Sequence, residues 1–252
     1  MRRFLFAALV LPAMFALVRP VRSADDGGAA AIVDKAIQAI GGEAKLKAAK
    51  GATWKTKGKI TFGDNESDFT STTTVAGMDH FRQEFEAEFG GNKVQGVVVV
   101  SGDKGWRKFG ENNLQMDAEA IANEKRVVYL QVAPGLLTPL KGNDFKLEAG
   151  GEQKIGDAEA AAVKATGPDG KDFTLYFDKT SGLLLKLSAK IIGFGGQEFL
   201  DETTYRDYQE FGGIKRASKV ESKRDGQRFI ESETTEFKLL DQVDPATFTE
   251  PK

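Results

Sequence analysis

The feature that most constrains this chain is a two-residue alternation of apolar and polar side chains. It is clearest in residues 81–89, FRQEFEAEF, where Phe81, Gln83, Phe85, Ala87 and Phe89 alternate with charged residues. Successive side chains of a β-strand point to opposite faces of a sheet, so this pattern predicts a strand with one apolar and one wet face. A chain made of such strands must bury one face of a sheet.

Similar alternating runs recur along the chain and are separated by turn signals such as Pro-Asp-Gly, Thr-Ser-Gly and Asp-Gly. Ten to twelve strands joined by short turns predict one large antiparallel meander. No alternation of strands with helices, which would indicate a parallel sheet, is present. We therefore predict a mainly β (α+β) fold.

Two segments break the alternation. Residues 29–40 carry apolar residues at helical spacing and end at Gly41-Gly42, which predicts an amphipathic N-terminal helix. Residues 113–140 lose the two-residue period and gain helix formers, with Asp117 as an N-cap and Pro134-Gly135 as a break. We predict that this second segment is a helical insertion that packs over the sheet.

A sheet of this size must curl around its apolar face or cover it, and two helices are few for a dozen strands. We therefore predict a curved half-barrel that encloses an apolar hollow, of the kind that binds apolar ligands. The predicted lining is aromatic and aliphatic: Trp54, Phe62, Phe81, Phe85, Phe89, Trp106, Phe173, Phe177 and Leu185. The predicted lid residues are Ile121, Val128, Leu136, Leu137 and Leu140. An ordinary packed core is the competing interpretation for each of them.

One cation departs from the pattern of the strand at residues 214–224. Its lysines share one face with Glu221, which indicates a solvated surface, whereas Arg216 falls among the inward residues. Two interpretations remain open: Arg216 reaches the rim of the hollow, or it is a buried polar contact near the hollow that holds the lid.

The first 23 residues begin with two arginines after Met1, continue with an apolar run from Phe4 to Val18 and then include small residues, which is typical of a secretory signal peptide. We expect residues 24–252 to form a single exported domain, in the periplasm or secreted. Cleavage would remove four arginines and leave 31 basic against 37 acidic residues, about −6. An acidic domain disfavours nucleic acid as a partner.

Few residues offer catalytic chemistry. The chain has no cysteine and one histidine, His80, so thiolate nucleophiles, Cys-based metal sites and imidazole metal sites are disfavoured. No G-x-S-x-G elbow precedes a serine, and the glycines from Gly193 lack the following helix that a dinucleotide loop requires. We therefore predict no cofactor, no metal and no enzymatic activity. A hydrolase with two buried, facing carboxylates remains an alternative.

Several stretches carry a resemblance to a known family: AIGGEAKLKAAKG, TWKTKGKI, FTLYFDKTSGLLLKL, TYRDYQEFGGIKRASKVES and an ending that places Asp244, Pro245, Phe248 and Pro251 in a DPxxFxxP pattern. In this order they are similar to the outer-membrane lipoprotein-sorting proteins of the LolA/LolB-like superfamily. The resemblance covers nearly all of residues 24–252. It implies a half-barrel with a helical lid over a cavity that receives acyl chains of lipoproteins in the periplasm.

These observations lead to two function hypotheses. The first is a carrier or binding protein for lipids or lipoprotein acyl chains, with peripheral contact to a membrane. The second is an envelope scaffold whose sheet is fully packed and whose partner is another envelope protein.

Overall fold

The computed structural model describes residues 26–89, 91–193 and 195–252. The predicted signal peptide lies outside this part of the chain, and so does the side chain of Phe89.

The strands form one open antiparallel sheet. They are β1 Gly51–Phe62, β2 Asn65–Ala76, β3 His80–Phe89, β4 Asn92–Ser101, β5 Lys104–Phe109, β6 Asn112–Gln115, β7 Lys146–Ile155, β8 Ala158–Thr166, β9 Asp172–Asp178, β10 Leu184–Ile192, β11 Glu198–Phe211, β12 Ile214–Arg224 and β13 Gln227–Leu240. Their order across the sheet is β6-β5-β4-β3-β2-β1-β13-β12-β11-β10-β9-β8-β7. The prediction of a large antiparallel sheet is confirmed.

Two meanders meet at the centre of this sheet. β1 pairs with β13, so the first and last strands join the two halves and leave β6 and β7 as the edges. The hairpins close through tight turns, and in the turn from β12 to β13 Asp225 and Gly226 both take left-handed conformations, with φ of 48° and 81°. Two successive residues of this kind match the twist of the paired strands, as the Asp-Gly signal predicts.

The helices are α1 Asp26–Ile40, α2 Glu43–Ala48 and α3 Ala118–Leu136, with short 3-10 helices at Thr138–Lys141 and Pro245–Phe248. We call α3 together with Thr138–Lys141 the lid segment. It connects the two edge strands β6 and β7. Among the described residues, no helix is long and apolar enough to span a membrane.

The predicted boundaries of the insertion need two corrections. Its first residues belong to β6, Asn112–Gln115, because they pair with β5. Pro134-Gly135 does not break α3, which continues to Leu136. A proline near the C-terminal end of a helix removes a single backbone hydrogen bond, and burial of Pro134 offsets that loss. The predicted N-cap is confirmed, since the Asp117 side chain accepts a hydrogen bond of 2.8 Å from the Ala120 N–H.

The helices lie on one face of the sheet, which we call the helix-covered face. Ile121 of α3 lies against Gly105 of β5, the Arg126 guanidinium reaches the Lys190 carbonyl of β10, and Gly135 lies against Arg216 of β12. The lid segment therefore crosses from one half of the sheet to the other. The 3-10 helix Thr138–Lys141 is tied to α1 and α2 by ion pairs of Lys141 with Asp34 (2.7 Å) and Glu43 (3.0 Å).

The C-terminal tail packs against β3 and β4. Phe248 is buried there and its ring lies 5.4 Å from that of His80, while Arg82 donates a hydrogen bond to the Thr247 carbonyl. Phe81 belongs to the core under the helices, and its neighbours His80 and Arg82 therefore point to the other face of β3. The tail thus covers the face opposite to the helices.

Candidate ligand-binding face

Four of the predicted lining residues lie together beneath the helices. Trp54, Phe81, Phe173 and Phe177 are buried and belong to one apolar cluster. The same cluster contains the predicted lid residues Ile121, Val128, Leu137 and Leu140, and Leu136 packs against it half-buried. The structure therefore brings the lid residues and the central strand aromatics into direct association.

Two predicted residues lie on the helix-covered face but away from the helices. Phe62 is 50% exposed at the end of β1 and packs edge-on against Phe229, with ring centroids 5.6 Å apart. Phe85 is half-buried, lies 5.9 Å from the ring of Phe109 and covers Gly96 of β4. These aromatics line the uncovered part of the face rather than the core.

Trp106 and Leu185 do not lie with the other predicted lining residues. Trp106 pairs with Val99, whereas its neighbour Gly105 faces Ile121 of α3. Because side chains alternate along a strand, Trp106 lies on the face opposite to the helices. Leu185 sits at a register irregularity of β10 and is half-buried outside the apolar cluster.

The helix-covered face is polar in the part of the sheet that the helices do not reach. Small hydroxyl side chains follow Trp54 and Val75 along β1 and β2, and Thr56 and Ser71 share a hydrogen bond of 2.6 Å across the two strands. Thr73 is buried and accepts a hydrogen bond of 3.2 Å from Gln83. The face therefore has an apolar half under the lid segment and a hydroxyl-rich half beyond it.

Arg216 lies at the boundary between these two halves. Its guanidinium stacks between two rings, 4.8 Å from the centroid of Trp54 and 4.7 Å from that of Phe237. A Cβ added to Gly135 of α3 would lie 2.8 Å from its Nη1. Burial lowers the pKa of Arg216 to about 10, although the side chain keeps partial exposure. The guanidinium therefore lies beside the lid segment, in contact with aromatic rings and not hydrogen-bonded to any described residue.

A second arginine, Arg126, anchors the lid segment and was not singled out from the sequence. Its side chain is 3% exposed and donates to the carbonyls of Lys190 (2.7 Å) and Asp172 (3.0 Å). It also forms an ion pair of 3.0 Å with Asp169 and donates to the hydroxyl of Tyr129. A charged residue amid the apolar spacing of α3 is the only sequence signal for this role.

Hydrogen bonds outweigh burial at Asp169. Burial alone would raise its pKa, but the Lys171 N–H, the Tyr129 hydroxyl and Arg126 together hold the pKa below its ordinary value. The pKa of Tyr129 is raised, first by burial and then by its hydrogen bond to Asp169. The network thus favours the charged form of Asp169, which faces the guanidinium of Arg126, and the neutral form of Tyr129.

Asp201 is the carboxyl on the helix-covered face whose pKa is raised, and burial is the main cause. Its partners are the hydroxyls of Ser222 (3.0 Å) and Thr203 (3.1 Å) and the Arg224 guanidinium (3.6 Å). None of these partners is a carboxyl group. The arrangement is that of one buried carboxyl held by two hydroxyls beside a guanidinium, and it lacks the second carboxyl that an acid–base pair for hydrolysis requires.

A cavity of about 600 Å³ lies elsewhere, among residues that are mostly charged and exposed. Its walls include Lys57, Glu233, Lys219, Arg206 and Glu221. These charges pair with carboxylates at the surface, as in Lys57–Glu233 at 3.2 Å and Arg206–Glu221 at 2.6 Å. We interpret this cavity as a groove between rows of solvated, mutually paired side chains, with apolar side chains such as Phe69 and Val220 also in its walls. Among the described residues, no group of three His, Cys, Asp or Glu side chains is placed to hold a metal ion.

Comparison with known proteins gives no match to a family model and none to a curated protein sequence. Solved structures do match. A LolA superfamily protein from Nitrosomonas europaea has a TM-score of 0.58 at 11% identity over 88% of this chain and 97% of that chain. The chain has a LolA-like fold.

Two further structures agree with that assignment. A DUF1329 family protein from Desulfovibrio piger has a TM-score of 0.54 at 12% identity over 88% of this chain and 97% of its own. A domain from Vibrio parahaemolyticus described as an outer membrane lipoprotein-sorting protein has a TM-score of 0.54 at 8% identity, over 89% of this chain and 97% of its own. At these identities the likeness concerns the fold alone.

Proposed function

We propose that this protein is an exported, non-enzymatic envelope carrier that binds lipid or lipoprotein acyl chains on its helix-covered face. The proposal extends the LolA-like fold to a function of the kind named for the Vibrio parahaemolyticus domain. It assumes that the predicted signal peptide directs residues 24–252 to the periplasm, and that the protein contacts membranes peripherally while exchanging its ligand.

The single observation that carries the proposal is the position of the lid segment. It connects the two edges of an open sheet and supplies Val128, Leu137 and Leu140 to the apolar cluster of the strands. Because no strand pairing involves the lid segment, it can move away without breaking a ladder hydrogen bond of the sheet. An acyl chain can then replace the lid residues against the same strands.

Uptake of an acyl chain would exchange one set of buried apolar contacts for another of the same order of energy. Exposing the buried aliphatic side chains of the lid segment, which are Ile121, Val128, Leu130, Val132, Leu137 and Leu140, costs roughly 9–18 kcal/mol at about 1.5–3 kcal/mol each. Burying an acyl chain of roughly 14 methylenes at about 0.8 kcal/mol each returns about 11 kcal/mol before the cost of association. Such a balance suits reversible uptake and release, as a carrier requires.

The two tryptophans allow a direct test, because Trp54 lies under the helices and Trp106 lies on the opposite face. We would titrate the mature protein with dibromostearate, whose bromine atoms quench tryptophan fluorescence on contact. The variant Trp106→Phe leaves Trp54 as the reporter, and we expect saturable quenching with a one-to-one stoichiometry.

The matched control is Trp54→Phe, in which Trp106 reports from the other face and should show no saturable quenching. Equal quenching of both reporters would indicate adsorption to the surface and would contradict the proposal. Absence of quenching in both variants, with no lipid extracted from natively purified protein, would instead favour the scaffold with a packed sheet.

A further inference from the structure

Arg216 differs from Arg126 and Arg224 because no anion among the described residues is paired with it. Its side chain has no ion pair and no hydrogen bond within that part of the chain, and it lies against the rings of Trp54 and Phe237 and against the last turn of α3. Arg126 is paired with Asp169, and Arg224 with Asp201. A guanidinium kept among aromatic rings without a counter-charge is costly unless something else supplies one.

Arg216 and Arg224 make a close comparison, since both belong to β12 and both stack on aromatic rings. Arg224 Nε is the single buried polar side-chain atom without a hydrogen bond among the described residues, although it lies 3.6 Å from Asp201 Oδ1. The guanidinium nitrogens of Arg216 also lack hydrogen bonds to described residues but keep access to the space beside them. Arg216 can therefore still form hydrogen bonds with an incoming group.

The last turn of α3 explains how Arg216 is tolerated when no ligand is bound. The C-terminal end of a helix carries partial negative charge, and Gly135 brings that end within contact of the guanidinium. This partial charge is weaker than that of a carboxylate or phosphate, and it moves away when the lid segment moves. An anion that enters with an acyl chain would replace it.

We propose that Arg216 forms the headgroup subsite of this protein, and that the preferred ligand is an acyl lipid with a single anionic headgroup at the boundary of the two halves. The inference rests on the carrier function proposed above. A guanidinium binds carboxylate and phosphate alike through paired hydrogen bonds, so both headgroup classes fit. The acyl chain then extends from Arg216 over Trp54 toward the residues beneath the lid segment.

The test compares lipids of one chain length and different charge. Oleate, oleyl alcohol and acetate would be titrated into wild-type protein by competition with a fluorescent fatty acid. We expect oleate to bind at least about tenfold more tightly than oleyl alcohol, a difference of about 1.4 kcal/mol, and acetate to compete negligibly. In Arg216→Met the preference should disappear while the affinity for oleyl alcohol is retained.

Two variants complete the design. Arg224→Met removes the neighbouring stacked arginine and should keep the preference for oleate, and Arg216→Lys should restore part of it. Equal binding of oleate and oleyl alcohol by the wild type would overturn the headgroup subsite and leave the carrier function intact. Binding of neither lipid would overturn the carrier function and the subsite with it, and acetate binding as tightly as oleate would overturn the role of the acyl chain.

A second measurement does not depend on any variant. Carbon-13 NMR of oleate labelled at its carboxyl would report the pKa of that group when bound to the wild type. A neighbouring guanidinium should hold the pKa of the carboxyl below that of the same fatty acid in a neutral lipid bilayer. A carboxyl pKa equal to or above the bilayer value would refute the contact with Arg216.

Discussion

Removal of Arg126 should detach the lid segment more effectively than removal of any exposed charge on it. The variant Arg126→Met keeps an unbranched apolar stem of similar length but removes the guanidinium. The carbonyls of Lys190 and Asp172 then lose their donor, and Asp169 loses its ion pair. These are the losses that make removal of one member of a buried pair expensive.

The magnitude follows from the burial of each partner. Breaking a fully buried ion pair costs about 3–5 kcal/mol, but the Asp169 side chain is 26% exposed and water can partly rehydrate it. Two carbonyls left without a donor add about 1–3 kcal/mol each, and the losses overlap because they share one side chain. We expect a net loss of about 3 kcal/mol in the free energy of unfolding. For a domain of this size that corresponds to a fall in Tm of about 6–12 °C.

Urea denaturation followed by circular dichroism would measure this loss, and hydrogen exchange of the α3 amides would show where it occurs. The matched control is Lys125→Met, one residue earlier, whose ion pair with Asp103 (2.9 Å) involves a fully exposed carboxylate. We expect that control to change stability by less than about 0.5 kcal/mol. If the two variants differ by less than about 1 kcal/mol, Arg126 does not anchor the lid segment as we argue.

Two further predictions concern other parts of the same scaffold. Because the pKa of Asp169 is lowered in the folded state, its stabilising contribution is present above the ordinary pKa of 3.8 and is lost as the pH falls through the folded-state value. Wild type should therefore exceed Asp169→Asn in stability at pH 7, and the gap should shrink below about pH 4; a gap that stays constant in urea denaturation down to pH 2.5 would contradict this. Gly58→Ala places a Cβ 2.1 Å from the Glu231 carbonyl oxygen, where β1 meets β13, and should cost about 2–3 kcal/mol through strain of the central pairing. The control Gly195→Ala meets no atom within 4 Å and should stay within about 0.5 kcal/mol of wild type, so equal costs for the two alanines would show that no close approach exists at Gly58.

The alternation of side chains was sufficient to predict the class of fold. A period of two requires strands, turn residues join neighbouring strands, and a dozen strands in succession give one antiparallel sheet. The N-cap at Asp117 and the turn at Asp225-Gly226 were also readable, because capping and left-handed turns depend on residues adjacent in the chain. The strand β6 escaped prediction, since four residues are too few to display a period.

Which face a strand residue occupies was less certain than which strand it belongs to. Trp106 was grouped with Trp54 because both are large and aromatic, yet the pairing of β4 with β5 places it on the opposite face. The face is set by register between strands, and register depends on the hairpins and on which side the helices cover. The local sequence pattern carries no information about which side of the sheet the helices cover.

The amino-acid sequence by itself predicted the strands other than β6, the N-terminal helix, the helical insertion and the presence of one arginine among inward-facing positions. The tertiary structure decided that β1 pairs with β13 and that the lid segment connects both edges of the sheet. It also decided that Arg126 pairs with Asp169, whereas Arg216 has no counter-charge among the residues that the structure describes. The physical reason is the separation along the chain over which each kind of interaction acts. Backbone geometry and side-chain period act over a few residues, whereas the environment of a charge is set by groups brought together from distant parts of the chain, such as Trp54, Gly135 and Phe237 around Arg216.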